Sequence, residues 1–334
     1  MQVINLTYPD VTGQIPAGPV VLALGFFDGV HQGHQQVVAT ARKAAQAQGA
    51  RLAVMTFDQH PSVVFQKTDP QQVRYLTTIE QKAALMSELD VDLLYVLHFD
   101  ATVGALPPQV FVDQLIVGLH AETVVAGFDY TYGPASIANM TLLSSYAQGR
   151  FDIIEVPKKI DAQAKISSTR IRTALDLGQI DEANELLGYQ YETTGLVVHG
   201  EARGRTLGFP TANVAHNTNT RVPGIGIYAT MVQVGSQWVM GMASVGHNVT
   251  FGQDRPITVE IYLLDFIGDI YGQTLVIRWG HRMRGEVKFE DAAGLVTQLK
   301  SDEQATRAYY ASHPFQAKPR LWSAVAANVH DEED

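Results

Sequence analysis

The stretch GFFDGVHQGH, residues 25–34, follows the apolar run Val20 to Leu24 and precedes a helical pattern over residues 35–48. A strand, a glycine turn and a helix in this order often bind phosphate, because the helix N-terminus presents backbone N–H groups and glycine permits close approach. His31 and His34 add imidazole donors. The stretch therefore predicts a phosphate site. Zinc ligation by the two histidines, or a merely polar turn, is the alternative.

Apolar, β-rich runs alternate with helical patterns through the first half of the chain. The strand-like runs cover residues 20–24, 52–57, 91–97, 123–126 and 153–156, and the helical patterns cover 35–48, 78–89, 109–119 and 140–148. Thr77-Thr78-Ile79-Glu80 fits a capping box, and Gly49 and Gly149 stand where helices end. This alternation predicts a parallel sheet whose ligands bind beyond the carboxyl ends of the strands.

The pattern changes near residue 188. Two short helical segments, residues 170–177 and 181–187, end at Gly188, and strand-like runs follow at 193–198, 227–234, 238–244, 258–264 and 274–279. These runs predict an antiparallel barrel or sandwich. A last helix over residues 291–310 carries Leu295, Val296 and Leu299 on one stripe and should pack on the barrel. We therefore divide the chain into domains at residues 1–184 and 185–334.

Composition narrows the class of protein. A chain of 334 residues is expected to form about two domains, and its net charge of −10 is shared between both halves. Neither half has the basic face that nucleic-acid binding requires. The N-terminus lacks a signal-peptide pattern and no run is long enough to span a membrane, which predicts a soluble, cytoplasmic protein. The absence of cysteine excludes disulfides, thiolate metal sites and a cysteine nucleophile.

A second polar cluster, ISSTRIR at residues 166–172, places three hydroxyls and two arginines at a helix start. The hydroxyls of Ser167, Ser168 and Thr169 could simply cap the helix. Arg170 and Arg172 oppose the helix dipole, however, so an anion bound there explains them better.

A third cluster, GEARGRTLGFPTAN at residues 200–213, combines glycines and arginines that can wrap phosphates. These are Gly200, Arg203, Gly204, Arg205 and Gly208. The hydroxyl of Thr211 and the amide oxygen of Asn213 are hard oxygen ligands suited to Mg²⁺. The alternative is a glycine-rich connection between strands.

Together these motifs resemble the prokaryotic family of bifunctional riboflavin kinase and FAD synthetase, also called FMN adenylyltransferase. The resemblance covers essentially the whole chain. It rests on motifs in the family's order at residues 27–34, 56–61, 127–133, 167–172, 204–213, 260–266 and 283–289.

The resemblance implies a Rossmann-like nucleotidylyltransferase domain that transfers AMP from ATP to FMN, giving FAD and pyrophosphate. His31, His34 and Arg172 would serve adenylyl transfer, and His60 and Asp129 would approach the flavin. The remaining nucleotide-binding residues would be Gly25, Phe27, Asp28, Gly33, Ser167, Ser168 and Thr169.

For the second domain, the resemblance implies an all-β Greek-key barrel with a C-terminal helix, which phosphorylates riboflavin with ATP. Glu260 would be the general base, with Asp265 the weaker candidate. Thr211 and Asn213 would hold Mg²⁺ or another divalent cation against the phosphates. Gly200, Arg203, Gly204, Arg205 and Gly208 would bind those phosphates, and Arg284 and Glu286 would contact the flavin.

Riboflavin, FMN, FAD and ATP are thus the expected small-molecule partners of a monomer or weak homo-oligomer. The chain departs from the usual family pattern at Tyr132, Ala138, Ser244 and Asn248-Val249. These departures leave two alternatives, a paralogue with one active domain and a non-catalytic flavin-binding regulator.

Overall fold

The computed structural model describes residues 1–11, 13, 15–162, 164–200, 203–247 and 257–316. The described residues form two compact units, one over residues 1–168 and the other over residues 169–316.

A six-stranded sheet forms the centre of the first unit, with strand order β1-β4-β3-β2-β5-β6 and every neighbouring pair parallel. The strands are β1 (Gln2–Leu6), β2 (Val20–Leu24), β3 (Arg51–Phe57), β4 (Leu93–Leu97), β5 (Ala121–Gly127) and β6 (Asp152–Val156). All five residues of β2 are buried, as expected for a strand covered on both faces. The predicted parallel α/β architecture is confirmed, although β1 was not recognised from the sequence.

The helices of this unit are α1 (Gln32–Gln48), α2 (Pro61–Phe65), α3 (Ile79–Glu88), α4 (Ala101–Gly104), α5 (Pro108–Val112) and α6 (Met140–Ala147). Gly49 ends α1 with φ 65°, as predicted. One local prediction was wrong, because the capping box of α3 joins Thr78 to Gln81 instead of Thr77 to Glu80. Helix α6 ends on Gln148 with φ 52°, and Gly149 follows it with φ 74°.

The second unit contains two helices followed by a closed barrel. The helices are α7 (Ser168–Asp176) and α8 (Ile180–Leu187). The strands are β7 (Glu192–Val198), β8 (Thr211–His216), β9 (Gly226–Val234), β10 (Gln237–His247), β11 (Ile257–Leu263) and β12 (Thr274–Arg284), with the short helix α9 (Arg203–Thr206) between β7 and β8. The strand order around the barrel is β10-β11-β8-β7-β12-β9, and all neighbours are antiparallel. The barrel prediction is confirmed.

Strand β8 was missed because half of its residues, TANVAH, are polar and the run follows a glycine-rich stretch. Its strand conformation depends on pairing with β7 and β11.

Helix α8 packs on β12, and the side-chain amide of Asn184 donates to the carbonyl of Trp279 at 2.9 Å. The chain around α7 and α8 thus clusters with the barrel. The domain boundary between residues 184 and 185 stays a prediction.

The last helix, α10 (Ala292–Ser312), packs on the barrel as predicted. Val296 and Leu299 lie against the cluster of Phe209, Met242 and Leu264, while Leu295 is half-buried.

Two candidate active sites

The GFFDGVHQGH stretch forms a strained turn at the carboxyl end of the central strand β2. Phe27, Gly29 and Val30 have φ angles of 54°, 79° and 36°. A positive φ in a residue with a side chain costs roughly 1 kcal/mol or more, so the surrounding structure must hold this conformation.

The segment leading into α3 holds the turn through Asp28, which is only 2% exposed. One carboxylate oxygen of Asp28 accepts from the N–H groups of Leu76 and Thr77, at 2.9 and 3.2 Å. In return, the N–H of Gly29 donates to the hydroxyl of Thr77 at 3.0 Å. Thr77 is therefore engaged with the turn, which explains why Thr78 caps α3 in its place.

The carbonyl of Phe26, at the start of the turn, accepts hydrogen bonds from two side chains. The hydroxyl of Thr56 and the ammonium of Lys82 both donate to it at 2.8 Å, and Lys82 also donates to Thr56 at 2.9 Å. Sequence reasoning missed Thr56, Thr77 and Lys82. No local sequence signal marks Lys82, because its burial follows from the packing of α3.

His31 is the N-cap of α1, which begins at Gln32, three residues earlier than predicted. Its Nδ1 accepts from the N–H groups of Gly33 and His34, at 3.1 and 3.3 Å. This pattern assigns the neutral tautomer with hydrogen on Nε2. These two N–H groups of the helix start are therefore bonded to the imidazole of His31. The His34 ring stacks on His31 with centroids 3.6 Å apart.

Two glycines of the motif make room for rings. A Cβ on Gly25 would lie 2.9 Å from the Phe27 ring, and one on Gly33 would lie 3.1 Å from the His31 ring. Glycine at these positions therefore allows Phe27 to be buried and His31 to fold over its own helix.

The second cluster meets the turn through Ser168, whose hydroxyl donates to the carbonyl of Asp28 at 2.9 Å. Thr169 is exposed and Arg172 half-buried, both further along α7, and Ser167 is half-buried just before it. Arg170 pairs with Glu182 of α8, with nitrogen and oxygen 2.8 Å apart. The argument that Arg170 needs an anion was therefore wrong, because a carboxylate of the chain faces it.

The predicted flavin residues of the first unit follow two different strands. His60 follows β3, caps α2 through its Nδ1 and lies edge-on to Phe26 with centroids 5.0 Å apart. Asp129 follows β5 and forms an ion pair with Lys165.

An unpredicted pair lies at the same edge of the sheet. Asp58 follows β3 and His98 follows β4, and the Asp58 carboxylate contacts His98 Nδ1 at 2.6 Å. The hydrogen bond to Asp58 raises the pKa of His98 above its usual value. Paired strands bring these residues together.

In the barrel, strand register brings Glu260 and Asn213 together. They are directly opposite each other on β11 and β8, and Thr211, two residues before Asn213, lies on the same face. The hydroxyl of Thr211 donates to the Glu260 carboxylate at 3.3 Å. Three of the predicted residues therefore form one cluster.

Glycines fit the GEARGRTLGFPTAN loop around this cluster. A Cβ on Gly200 would overlap the Asn213 carboxamide, and one on Gly204 would overlap the carbonyl of Phe209. Gly208 has a φ of 82°. Arg203 begins α9, and its side chain lies outside the described residues.

A cavity of about 210 Å³ opens beside the cluster. Its lining includes Thr211 and Arg205, together with Phe266 and Tyr271 from the segment after β11. Tyr271 stacks on His199 with centroids 3.9 Å apart. Thr211 thus belongs both to the cluster with Glu260 and to the lining of this cavity.

Two other predicted barrel residues, Arg284 and Asp265, form ion pairs within the protein. Arg284 forms a bidentate ion pair with the buried Asp302 of α10, with the closest nitrogen and oxygen 2.7 Å apart. A Cβ on Gly246 would overlap the exposed Glu286 side chain. Asp265 lies beyond the end of β11 and pairs with Arg307 at 2.7 Å, so it does not join the cluster.

The donor set of Thr211, Asn213 and Glu260 fits a hard divalent cation, because hydroxyl, amide and carboxylate oxygens suit Mg²⁺. Among the described residues, no group of three or more His, Cys, Asp or Glu could hold a metal ion.

Tyr132 and Ala138, two of the departures from the family pattern, are buried in the core of the first unit. Ser244 stands opposite Glu260 on β10, so this substitution adjoins the barrel cluster. Asn248 and Val249 lie outside the described residues.

Within the described ranges, no helix is both long and apolar enough to cross a membrane.

A family model for FAD synthetase matches residues 15–170, and one for riboflavin kinase matches residues 187–310.

Curated relatives match across both regions. The bifunctional riboflavin kinase/FMN adenylyltransferase of Listeria monocytogenes is 48% identical over 311 residues, and that of Bacillus subtilis is 39% identical over 314. Each alignment covers 93% of this chain and 99% of the relative.

A crystal structure described as a macrolide-efflux protein from Streptococcus pneumoniae is 36% identical, with a TM-score of 0.84, over 92% of this chain and 99% of that one. The efflux description is that protein's own, whereas both matching family models describe flavin-cofactor enzymes. The chain belongs to the family of bifunctional riboflavin kinases/FMN adenylyltransferases, with the FAD synthetase region preceding the riboflavin kinase region.

Proposed function

We propose that the barrel phosphorylates riboflavin at the cluster of Glu260, Asn213 and Thr211. The observation that supports this most is the register that places Glu260 opposite Asn213, with Thr211 bonded to the carboxylate. Glu260 accepts the proton of the ribityl 5′-hydroxyl as that oxygen attacks the γ-phosphorus of ATP, and ADP leaves. The Thr211 hydroxyl orients the carboxylate.

The cavity lined by Arg205 and Thr211 is our candidate for the ATP of this reaction. Arg203 and Arg205 neutralise phosphate charge, and Gly200, Gly204 and Gly208 let the loop lie close to it. Thr211 and Asn213 hold Mg²⁺, which when bound neutralises charge on the phosphates. Arg284 and Glu286 contact the flavin.

We assign adenylyl transfer to the turn of the first unit. The Nε2–H of His31, whose tautomer is set by capping α1, donates to an ATP phosphate beside His34. The FMN phosphate attacks the α-phosphorus directly and pyrophosphate departs, so the protein's contribution is positioning and charge stabilisation. Ser168, Thr169 and Arg172 receive the pyrophosphate, and His60 and Asp129 contact the flavin.

We place the protein in the cytoplasm, where it acts on riboflavin, FMN and ATP without nucleic acid, as a monomer or weak homo-oligomer. None of the comparisons supports the alternatives of a single active domain or a non-catalytic regulator.

The test incubates the purified chain with riboflavin, ATP and Mg²⁺ and follows FMN and FAD by chromatography. A parallel reaction with EDTA tests the metal requirement, and one supplied with FMN isolates the second step. FMN followed by FAD supports both assignments. FMN without FAD contradicts the assignment of the first unit. If neither FMN nor FAD forms, both assignments are contradicted.

A further inference from the structure

Lys82 is a buried lysine beneath the turn of the first unit. Lys82 is only 2% exposed and is the fourth residue of α3. A buried ammonium is unfavourable in a low-dielectric interior, and a cation near a helix N-terminus also opposes the helix dipole. A lysine at this position is therefore expected to stabilise the fold less than methionine or leucine, which would fill the same space.

The ammonium makes two hydrogen bonds, both with uncharged oxygens. It donates to the Phe26 carbonyl at 2.8 Å and the Thr56 hydroxyl at 2.9 Å, and lies 4.5 Å from the Phe26 ring centroid. No carboxylate of the described residues forms an ion pair with it. Thr56 by itself already donates to the Phe26 carbonyl, so the charge of Lys82 is not needed merely to satisfy that oxygen.

The carbonyl that Lys82 binds lies at the start of the turn. Phe26 immediately precedes Phe27, where the chain enters the left-handed conformation that continues at Gly29 and Val30. With two donors on its carbonyl, the peptide joining Phe26 to Phe27 is fixed in orientation. His31 follows directly, so the direction of its ring depends on this turn.

We propose that Lys82 is a positioning residue for adenylyl transfer: its buried ammonium fixes the Phe26 carbonyl, and thereby the turn that aims His31 at the nucleotide phosphates. The inference rests on the function proposed for the first unit. Lys82 acts through the turn and does not itself touch the substrate.

Protonation of Lys82 should be visible in the reaction. Burial lowers the pKa of Lys82 to about 8, against the opposing effect of Asp28 in the turn and Asp58 after β3. The ammonium is present below that pH and is lost as the pH rises through it. The nearby Tyr75, which faces Phe26, has a pKa raised above 10 by burial and stays neutral over this range.

The experiment compares the wild-type chain with Lys82→Met, and uses Lys43→Met as the control, since Lys43 is an exposed lysine of α1 in the same unit. We expect the wild-type rate of FAD formation from FMN to decline above about pH 8. Lys82→Met should lower kcat at pH 7 at least tenfold, with the KM for ATP changed less than twofold and no decline near pH 8. Riboflavin phosphorylation by the same chain should be unchanged.

A purely structural role predicts a different outcome. Replacement of a buried charge by an apolar side chain of similar length is often neutral or stabilising. We therefore expect Lys82→Met to keep the wild-type Tm while losing FAD formation. A lower Tm with a proportional loss of both activities would overturn the inference.

Thr56→Val provides a second variant that removes a hydrogen bond to Phe26 and keeps the charge. It should retain the decline near pH 8 and lose less than threefold in rate. If Lys82→Met fails to fold, a wild-type profile that stays flat through pH 8 still overturns the inference. Wild-type FAD formation with an equally active Lys82→Met contradicts the role of Lys82 alone, whereas no wild-type FAD overturns both this role and the proposed function.

Discussion

The two candidate sites differ in where their residues come from. In the first unit, the predicted phosphate residues are neighbours in sequence, within residues 25–34, but the groups that hold them are distant. Thr77 is 48 residues from Gly29, and Ser168 is 140 residues from Asp28. In the barrel, Asn213 and Glu260 are themselves distant, and backbone register alone makes them opposite. A local motif thus needs long-range support, whereas a distributed site needs strand pairing.

The comparison predicts that the barrel cluster depends on one carboxylate. Glu260→Gln keeps the shape and the acceptor for Thr211 but removes the base, so riboflavin phosphorylation should fall about 10³-fold. FAD formation from supplied FMN should be unchanged. Both rates can be measured by chromatography on one preparation. A fall in both rates with the fold intact would show that the sites are not independent.

His31 tests the turn, and capping makes its matched variants informative. His31→Ala removes the imidazole and the cap, whereas His31→Asn restores a good cap without the ring. Both should lower FAD formation by about 10²-fold. Only His31→Ala should also lower the free energy of unfolding, by about 1 kcal/mol, as measured by urea denaturation. Full activity in His31→Asn would show that His31 is a capping residue only.

Gly200→Ala tests whether the barrel site depends on the close packing of Gly200 against Asn213. The added Cβ would overlap the Asn213 carboxamide and displace it. Since misplacement by about 1 Å can cost up to 10²-fold, we expect a loss of roughly tenfold in riboflavin phosphorylation. FAD formation is the internal control. Unchanged kinase kinetics would mean that the position of Asn213 is not important.

The smallest expected effect separates Arg170 from Arg172. Arg170→Ala removes a partly exposed ion pair with Glu182, which contributes about 0.2–1 kcal/mol, and FAD formation should stay within twofold of wild type. Arg172→Ala should lower FAD formation at least tenfold if it binds pyrophosphate. Equal losses from both variants would restore the original interpretation of two phosphate-binding arginines.

Sequence reasoning identified the architecture because hydrophobic period is local. Alternation of buried strands with helices indicated the parallel sheet, and runs with period two indicated the barrel. It missed β1 and β8. Half of the residues of β8 are polar, and its strand conformation depends on pairing with β7 and β11. It also misassigned the cap of α3, since the hydroxyl of Thr77 bonds to a segment that the local sequence does not contain.

The candidate sites divide in the same manner. Motif order by itself identified the family, and it named the polar clusters on which the two reactions are proposed to depend. Tertiary structure decided which partners those side chains have: Arg170 with Glu182, Arg284 with Asp302, and His31 with its own helix.

The residues of a motif can be recognised in the sequence because the chemistry of a phosphate site requires those types of side chain. The residues that hold the motif in place cannot be recognised there, because hydrogen bonds and ion pairs depend on distance in space. Lys82, which looks like an ordinary helix residue in the sequence, lies under the Phe26 carbonyl only after β2, β3 and α3 have packed together.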